Sequence, residues 1–219
     1  RYLIATTGVG AQRRISVRRG DAVAAAPVFE AVGFAPSIGA DNRTLIYSST
    51  ASGTGFQLVA LPNGTPARVT VDAAAIASAV VIGNSPTRIA VIAGTQGDST
   101  ARLLIYNIGA GTWSTVNTGR LQPVSLLRSP DGNRLLVLLG ERGAFARQVP
   151  GFAQQSRNTA LAELTENTLG PVIGGIFPTW SADGSTFAWI DPGGEGARVS
   201  VQRRQAARAC PMTLQGRFQ

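Results

Sequence analysis

Three aspartates recur at matching places in short motifs: Asp41 in Ala40-Asp41-Asn42, Asp131 in Ser129-Pro130-Asp131-Gly132, and Asp183 in Ser181-Ala182-Asp183-Gly184. Carboxylates at a repeated spacing suit a calcium site or shared acid–base work. An aspartate beside a glycine has a plainer use, because its side chain bonds the backbone two residues on while glycine takes positive φ without steric cost. Asp41 and Asp131 lie 90 residues apart, two steps of 45, and Asp183 follows 52 residues after Asp131. Residues at the same point of successive units are expected to be spread round the fold rather than gathered on one ligand. Asp41, Asp131, Gly132, Asp183 and Gly184 are therefore assigned to structural turns. Glu163 and Glu166 are close enough in sequence to suggest a glycosidase pair. If residues 160–165 form a strand, Glu163 faces outward and Glu166 falls in the next turn, so both are expected to be solvated.

The residue types that are missing narrow the chemistry further. The chain has no His and no Lys, so all 20 basic residues are Arg, and it has a single Cys, Cys210. A Ser-His-Asp triad, a Schiff-base lysine, a phosphate-loop lysine, an internal disulfide and a thiolate zinc cluster are all excluded. No catalytic residue, metal site or cofactor is expected. An Arg-only basic set also fits a GC-rich bacterial genome, and Cys210 reads as a free thiol.

Positive charge is the main resource left. The net charge is +8 and the sequence pI about 11.3, which attracts acidic protein faces, anionic lipid or nucleic acid through long-range fields. Arg13, Arg14, Arg18 and Arg19 form one basic cluster; Arg203, Arg204 and Arg208 form another. If the first and last units are neighbours, the two merge. Phe152 is an aromatic inside the polar segment Pro150–Asn158 and joins them as a candidate partner-binding residue, since long loops on rigid scaffolds concentrate binding residues. Nucleic acid is disfavoured because no aromatics are interleaved with the arginines to stack on bases. Trp113, Trp180 and Trp189 read as packing between units.

These residues must be positioned by many short strands. The 26 Gly and 12 Pro are spread along 219 residues, and the segments between them alternate in twos and are rich in Val, Ile and Thr. Tyr2–Thr6 and Arg13–Arg18 read as strands, with Ile15 and Val17 on one face and Arg14, Ser16 and Arg18 on the other. Val23–Phe29 is a further strand candidate. Then follow Phe34–Ile38, Thr44–Ser48, Phe56–Leu61 and Ala67–Val71, with Asn63-Gly64 as a two-residue hairpin turn. The third unit has Ser78–Ile82, Arg88–Ala93, Arg102–Ile108 and Thr112–Val116, with a turn at Asn84-Ser85-Pro86. The fourth has Val124–Leu127, Arg134–Leu139, Phe145–Val149 and Ala160–Thr165; the fifth has Phe177–Trp180, Thr186–Ile190 and Arg198–Gln202.

Four strands every 40–50 residues is the spacing of propeller blades. The expected fold is all-β, a propeller of about five four-stranded blades. It is either a complete small ring or part of a larger one, with the first unit starting at its second strand. The propeller is placed at residues 1–204 and a polar tail at 205–219. Open edges would favour aggregation, so closure or coverage by a partner is expected. No apolar run reaches the roughly 18 residues that span a bilayer. The chain starts at Arg1 rather than Met, which leaves a removed signal or an anchor open.

Pro178-Thr179-Trp180-Ser181-Ala182-Asp183-Gly184 with Phe187-Ala188-Trp189 resembles the TolB-like propeller repeat. Ser129-Pro130-Asp131-Gly132-Asn133-Arg134-Leu135 is a second copy, and Leu104-Ile105-Tyr106-Asn107 resembles that repeat's later strand. Such repeats occur in periplasmic and secreted bacterial proteins and in gating domains of some peptidases. The resemblance implies binding more often than catalysis. With the missing His and Lys, the lack of a convergent carboxylate set and the positive charge, the expected role is a non-catalytic scaffold outside the cytoplasm that meets acidic protein faces of a larger complex or an anionic membrane surface. The alternatives are the gating propeller of a hydrolase and a sugar-binding propeller.

Overall fold

A computed structural model of the chain describes residues 1–49, 54–73, 75–83, 88–94, 101–140, 160–191, 198–203 and 210–212. Five antiparallel sheets follow one another along the sequence. The first holds β1 (Tyr2–Thr7), β2 (Arg14–Arg19) and β3 (Phe29–Val32). The second holds β4 (Phe34–Ile38), β5 (Thr44–Ser48), β6 (Gly55–Ala60) and β7 (Ala67–Thr70). The third holds β8 (Ala75–Ile82), β9 (Arg88–Gly94), β10 (Ala101–Asn107) and β11 (Thr112–Val116). In the fourth, β12 (Gln122–Arg128), β13 (Leu135–Gly140) and β14 (Ala160–Thr165) are followed by two short strands, β15 (Thr168–Leu169) and β16 (Ile173–Gly174), both paired to β14. The fifth holds β17 (Ile176–Trp180), β18 (Thr186–Asp191), β19 (Arg198–Arg203) and β20 (Cys210–Met212). No helix among the described residues is long and apolar enough to cross a membrane.

The sheets stack face to face, and alternation explains how. Ile15 and Val17 of β2 point into one core with Leu45, Tyr47 and Val59 of the second sheet. Three further cores join the second sheet to the third, the third to the fourth and the fourth to the fifth. Strands of the middle sheets are covered on both faces, so β13 is buried along its whole length and reads as an unbroken apolar run. Among the described residues no hydrophobic core joins the first sheet to the fifth.

The first strands β4, β8, β12 and β17 share another feature. Each shifts register against its neighbour near its start, between Phe34 and Ser37, Ile76 and Ser78, Pro123 and Ser125, and Ile176 and Thr179. Such bulges bend a strand and increase its twist, which suits strands that must splay from a common centre.

Most expected strands appear within one or two residues, and three readings are corrected. Val23–Phe29 is not a strand: Ala25 N–H bonds Ala22 O at 3.0 Å, and the Arg18 guanidinium holds the Val23 and Ala25 carbonyls at 2.9 and 2.7 Å. Pro27, with no N–H to give a ladder, delays the strand to Phe29. Asn63-Gly64 does not form a two-residue hairpin. In that turn Pro62 would flank the loop and have to donate, which it cannot do, so β6 and β7 are joined by the six residues 61–66. Finally, Ala160–Thr165 is the third strand of the fourth sheet and not its outermost, since it pairs directly with β13. The expected strand Phe145–Val149 and the turn at Asn84-Ser85-Pro86 lie outside the described residues. Within the segment read as a tail, Cys210–Met212 pairs with β19 as the fifth sheet's fourth strand.

Candidate protein-docking site

The aspartate turns lie at one end of the sheet stack, called here the turn end. Two of them share one wiring. Ser129 Oγ donates to Asp131 Oδ1 and accepts the Arg134 N–H at 3.0 Å, and Asn133 N–H also reaches Asp131 Oδ1. Likewise Ser181 Oγ donates to Asp183 Oδ1 at 2.6 Å and accepts the Thr186 N–H at 3.0 Å, while Ser185 N–H and Oγ bond Asp183 at 3.0 and 2.8 Å. Asp41 accepts from Thr44 N–H and Oγ1 at 3.2 and 2.9 Å. Each carboxylate thus fixes its own turn, as the motif implies. The serine two residues before the aspartate is a part of this wiring that sequence reading passed over, although it stands at the same offset in both copies.

The turns are not spread apart, however. Gly83 N–H donates to Gly132 O at 2.8 Å, and a methyl placed on Gly132 would lie 2.0 Å from the Ala40 Cβ. A methyl on Gly184 would lie 3.0 Å from Asp131 Oδ1. Turns of the second to fifth sheets therefore meet at the centre of the turn end. The expectation of separation failed because it ignored that the innermost strands all run toward the same point. Even so, no group of three or more His, Cys, Asp or Glu side chains able to hold a metal occurs among the described residues.

The shared wiring carries a pH signature. Hydrogen bonds from Ser181 and then Ser185 hold the Asp183 carboxyl at about 2, below its ordinary 3.8. A depressed carboxyl stabilises the fold above its unfolded value and loses that contribution as pH falls through the folded one. Asp183→Asn should therefore reduce the stability lost between about pH 4 and pH 2, read by denaturant unfolding across that range.

The expected solvation of Glu163 is overturned. Its carboxylate forms a two-pronged pair with Arg134, Nε to Oε1 at 2.5 Å and Nη2 to Oε2 at 2.6 Å. The Arg134 guanidinium also sits 4.8 Å above the Trp180 ring, whose Nε1–H bonds Leu127 O at 3.1 Å. The bond to Glu163 holds the Arg134 pKa above its usual value. Strand register causes this: Glu163 lies on β14, which sits next to β13 where Arg134 precedes it. Glu166 is exposed in the turn after β14, as expected. Trp189 is buried in the core between the fourth and fifth sheets, Trp180 packs against that core, and Trp113 packs with Phe56 and Tyr106 between the second and third.

Of the candidate arginines, Arg14, Arg18 and Arg19 lie on β2 and Arg13 immediately precedes it, so the four are divided between the two ends of the first sheet. Arg13 and Arg14 stand away from the turn end, with Arg13 placed 5.8 Å from the Phe34 ring centre and Arg14 paired with Val32. Arg18 is occupied by the carbonyls of Val23 and Ala25. Arg19 is exposed at the turn end, where a groove of about 550 Å³ brings it together with Arg1, Arg43, Asp21 and Asp41. Arg43 was not singled out by sequence, because its neighbours in the chain are not basic; only the folding of the second turn beside β1 adds it. Arg203 ends β19 opposite Thr186, also at the turn end. Phe152, Arg204 and Arg208 lie outside the described residues. A second groove of about 380 Å³ at the turn end is lined by Arg88, Asn133, Arg134, Glu163 and Glu166.

No family model and no curated protein matches the chain. Solved structures do. TolB from Acinetobacter baumannii aligns over 97% of this chain at TM-score 0.57 and 15% identity. The Swd1 β-propeller domain of Myceliophteria thermophila aligns over 94% at 0.59 and 10%. The fold is a β-propeller, and its structural neighbours include TolB. An oligogalacturonate lyase in complex with manganese also aligns, over 91% at 0.60 and 12%. The chain spans 52%, 64% and 59% of the lengths of these three. At such identities the likeness is one of fold.

Proposed function

We propose that the chain is a non-catalytic, protein-binding propeller whose turn end docks on an acidic face of a larger assembly. The observation that carries this reading is the groove in which Arg1, Arg19 and Arg43 meet beside a set of turns locked by their own hydrogen bonds. A pre-ordered surface loses little conformational entropy on binding, and an excess of guanidinium steers an acidic partner toward it. The net charge of +8 adds long-range attraction. The finer reading, supported by the TolB-like repeat, is a structural subunit of a bacterial membrane-associated complex in an extracytoplasmic compartment.

The test is affinity capture from gently solubilised membranes and from the soluble fraction of the source, at low and high salt. A defined protein set should be retained in stoichiometric amount at low salt and released at high salt. Arg19→Glu combined with Arg43→Glu should cut retention about tenfold, as expected for reversing charges at a docking rim. Isolation of the chain alone under every condition would refute the docking role.

A second reading has one observation in its favour. The groove at Arg88, Asn133, Glu163 and Glu166 offers charges of both signs at the turn end, as a substrate-recognising propeller of an enzyme would. Calorimetric binding of sugars or peptides that is lost in Arg88→Ala would support it.

A further inference from the structure

We propose that the groove between the third and fourth sheets at the turn end binds a small amino-acid-type zwitterion, its carboxylate on Arg88 and its ammonium on Glu166. This rests on the second reading, a recognition groove, and names the chemistry of what that groove would recognise. The docking of a protein partner at Arg19 and Arg43 stands or falls separately.

The groove holds about 380 Å³. Its floor is apolar, because Ile82 and Leu164 line it from the core that joins the two sheets. Arg88 comes from the third sheet. It is half-buried at the start of β9, and its backbone is fixed on both sides, opposite Ile82 of β8 and Asn107 of β10. The fourth sheet supplies Arg134, Glu163 and Glu166. Among the described residues the ion pair of this groove is Arg134 with Glu163, which cancels one charge of each sign. Arg88 and the exposed Glu166 then offer one charge each from different sheets.

The backbone at Glu166 gives a second reason to look here. Thr165 pairs with Thr168, so Glu166-Asn167 is a two-residue hairpin loop. Glu166 has φ +55, and loops of this length place Gly, Asn or Asp at positive φ. Asn167, one position along, is a residue type that tolerates that conformation better. Strain of this kind gathers at ligand clamps, where the surrounding structure holds a side chain that the fold alone would not choose. Here it holds a carboxylate at the rim of a groove.

Charge then selects the ligand. A simple anion drawn to Arg88 meets repulsion from Glu166, and a simple cation drawn to Glu166 meets it from Arg88. A molecule carrying both charges satisfies both walls, so each wall rejects what the other alone would accept. Ligand pockets span about 300–1,000 Å³, and this one lies at the small end. It suits a free amino acid or a dipeptide, with a small apolar side chain on Ile82 and Leu164.

The probes are L-leucine and L-alanyl-L-leucine, with leucinamide lacking the carboxylate and N-acetyl-leucine lacking the ammonium. Each is titrated calorimetrically into the intact chain. Leucine or alanyl-leucine should saturate it in the millimolar range or below; the tighter of the two identifies a free amino acid or a short peptide as the source. Leucinamide and N-acetyl-leucine should each bind about tenfold or more weakly than leucine, since each loses a charge-assisted contact. Arg88→Gln should bind leucine no better than leucinamide, and Glu166→Gln no better than N-acetyl-leucine. Glu166→Gly should show the same loss while its unfolding midpoint rises, because glycine takes that φ without strain. No saturation by either zwitterion up to about 10 mM would overturn the proposal. So would equal affinity for leucine and its two blocked forms, or leucine binding unchanged in Arg88→Gln. Sugar binding that is lost in Arg88→Ala, without binding of either zwitterion, would overturn it too and leave the groove a recognition site of another chemistry.

Discussion

Gly132→Ala lowers the unfolding free energy by about 3 kcal/mol, from two costs that add. Gly132 has φ +77, where a side chain costs about 1–2 kcal/mol. Its new methyl would lie 2.0 Å from the Ala40 Cβ and 3.4 Å from the Ala40 Cα. The obstacle is short and rooted in backbone, so a turn of the second sheet must shift, and overpacking of this kind costs about 1–3 kcal/mol. Gly119 supplies the comparison. Its φ is +64, but nothing lies within 4 Å of the added methyl, so Gly119→Ala should cost only about 1 kcal/mol. Denaturant unfolding of both variants separates the terms. Equal losses would mean that the turns are not packed against one another at the centre.

Glu163→Ala should destabilise by about 3 kcal/mol, because it strands a buried charge. The Arg134 side chain is 10% exposed, and its Nη1 has no hydrogen-bond partner among the described residues. Glu163 supplies both of its side-chain hydrogen bonds in the pair. Once that carboxylate is gone, the Trp180 ring is the main compensation left, and cation–π contacts contribute about 0.5–2 kcal/mol. Arg134→Met combined with Glu163→Leu should recover most of the loss, since a well-packed apolar pair often replaces an ionic one at little cost. Chemical unfolding of the single and double variants gives the coupling directly. A single variant as stable as the parent would return Glu163 to the solvated role its sequence suggested.

The strand framework was legible because it follows local rules. Ile15 and Val17 alternate with Arg14 and Arg18, and the Ser-x-Asp-Gly turns mark where strands reverse. What escaped was set by contacts between distant segments. Glu163 looks like any outward residue on a half-exposed strand, and nothing near it in sequence says that β14 lies next to β13. The segment 141–159 between them disguised that neighbour relation and made β14 seem the outermost strand. Arg43 has the same history, since its partners Arg1 and Arg19 come from another sheet. The hairpin at Asn63-Gly64 failed for a local reason that was visible: Pro62 cannot donate where that turn needs a donor.

Amide hydrogen exchange of the chain, alone and with its captured partner, tests the docking account most directly. The account predicts new protection at the turn end, around Arg19 and the 39–44 turn, with exchange in the buried strand β13 unchanged because it is already protected by the core. Protection that appears only away from the turn end, or a captured fraction that leaves exchange everywhere unaltered, would contradict it.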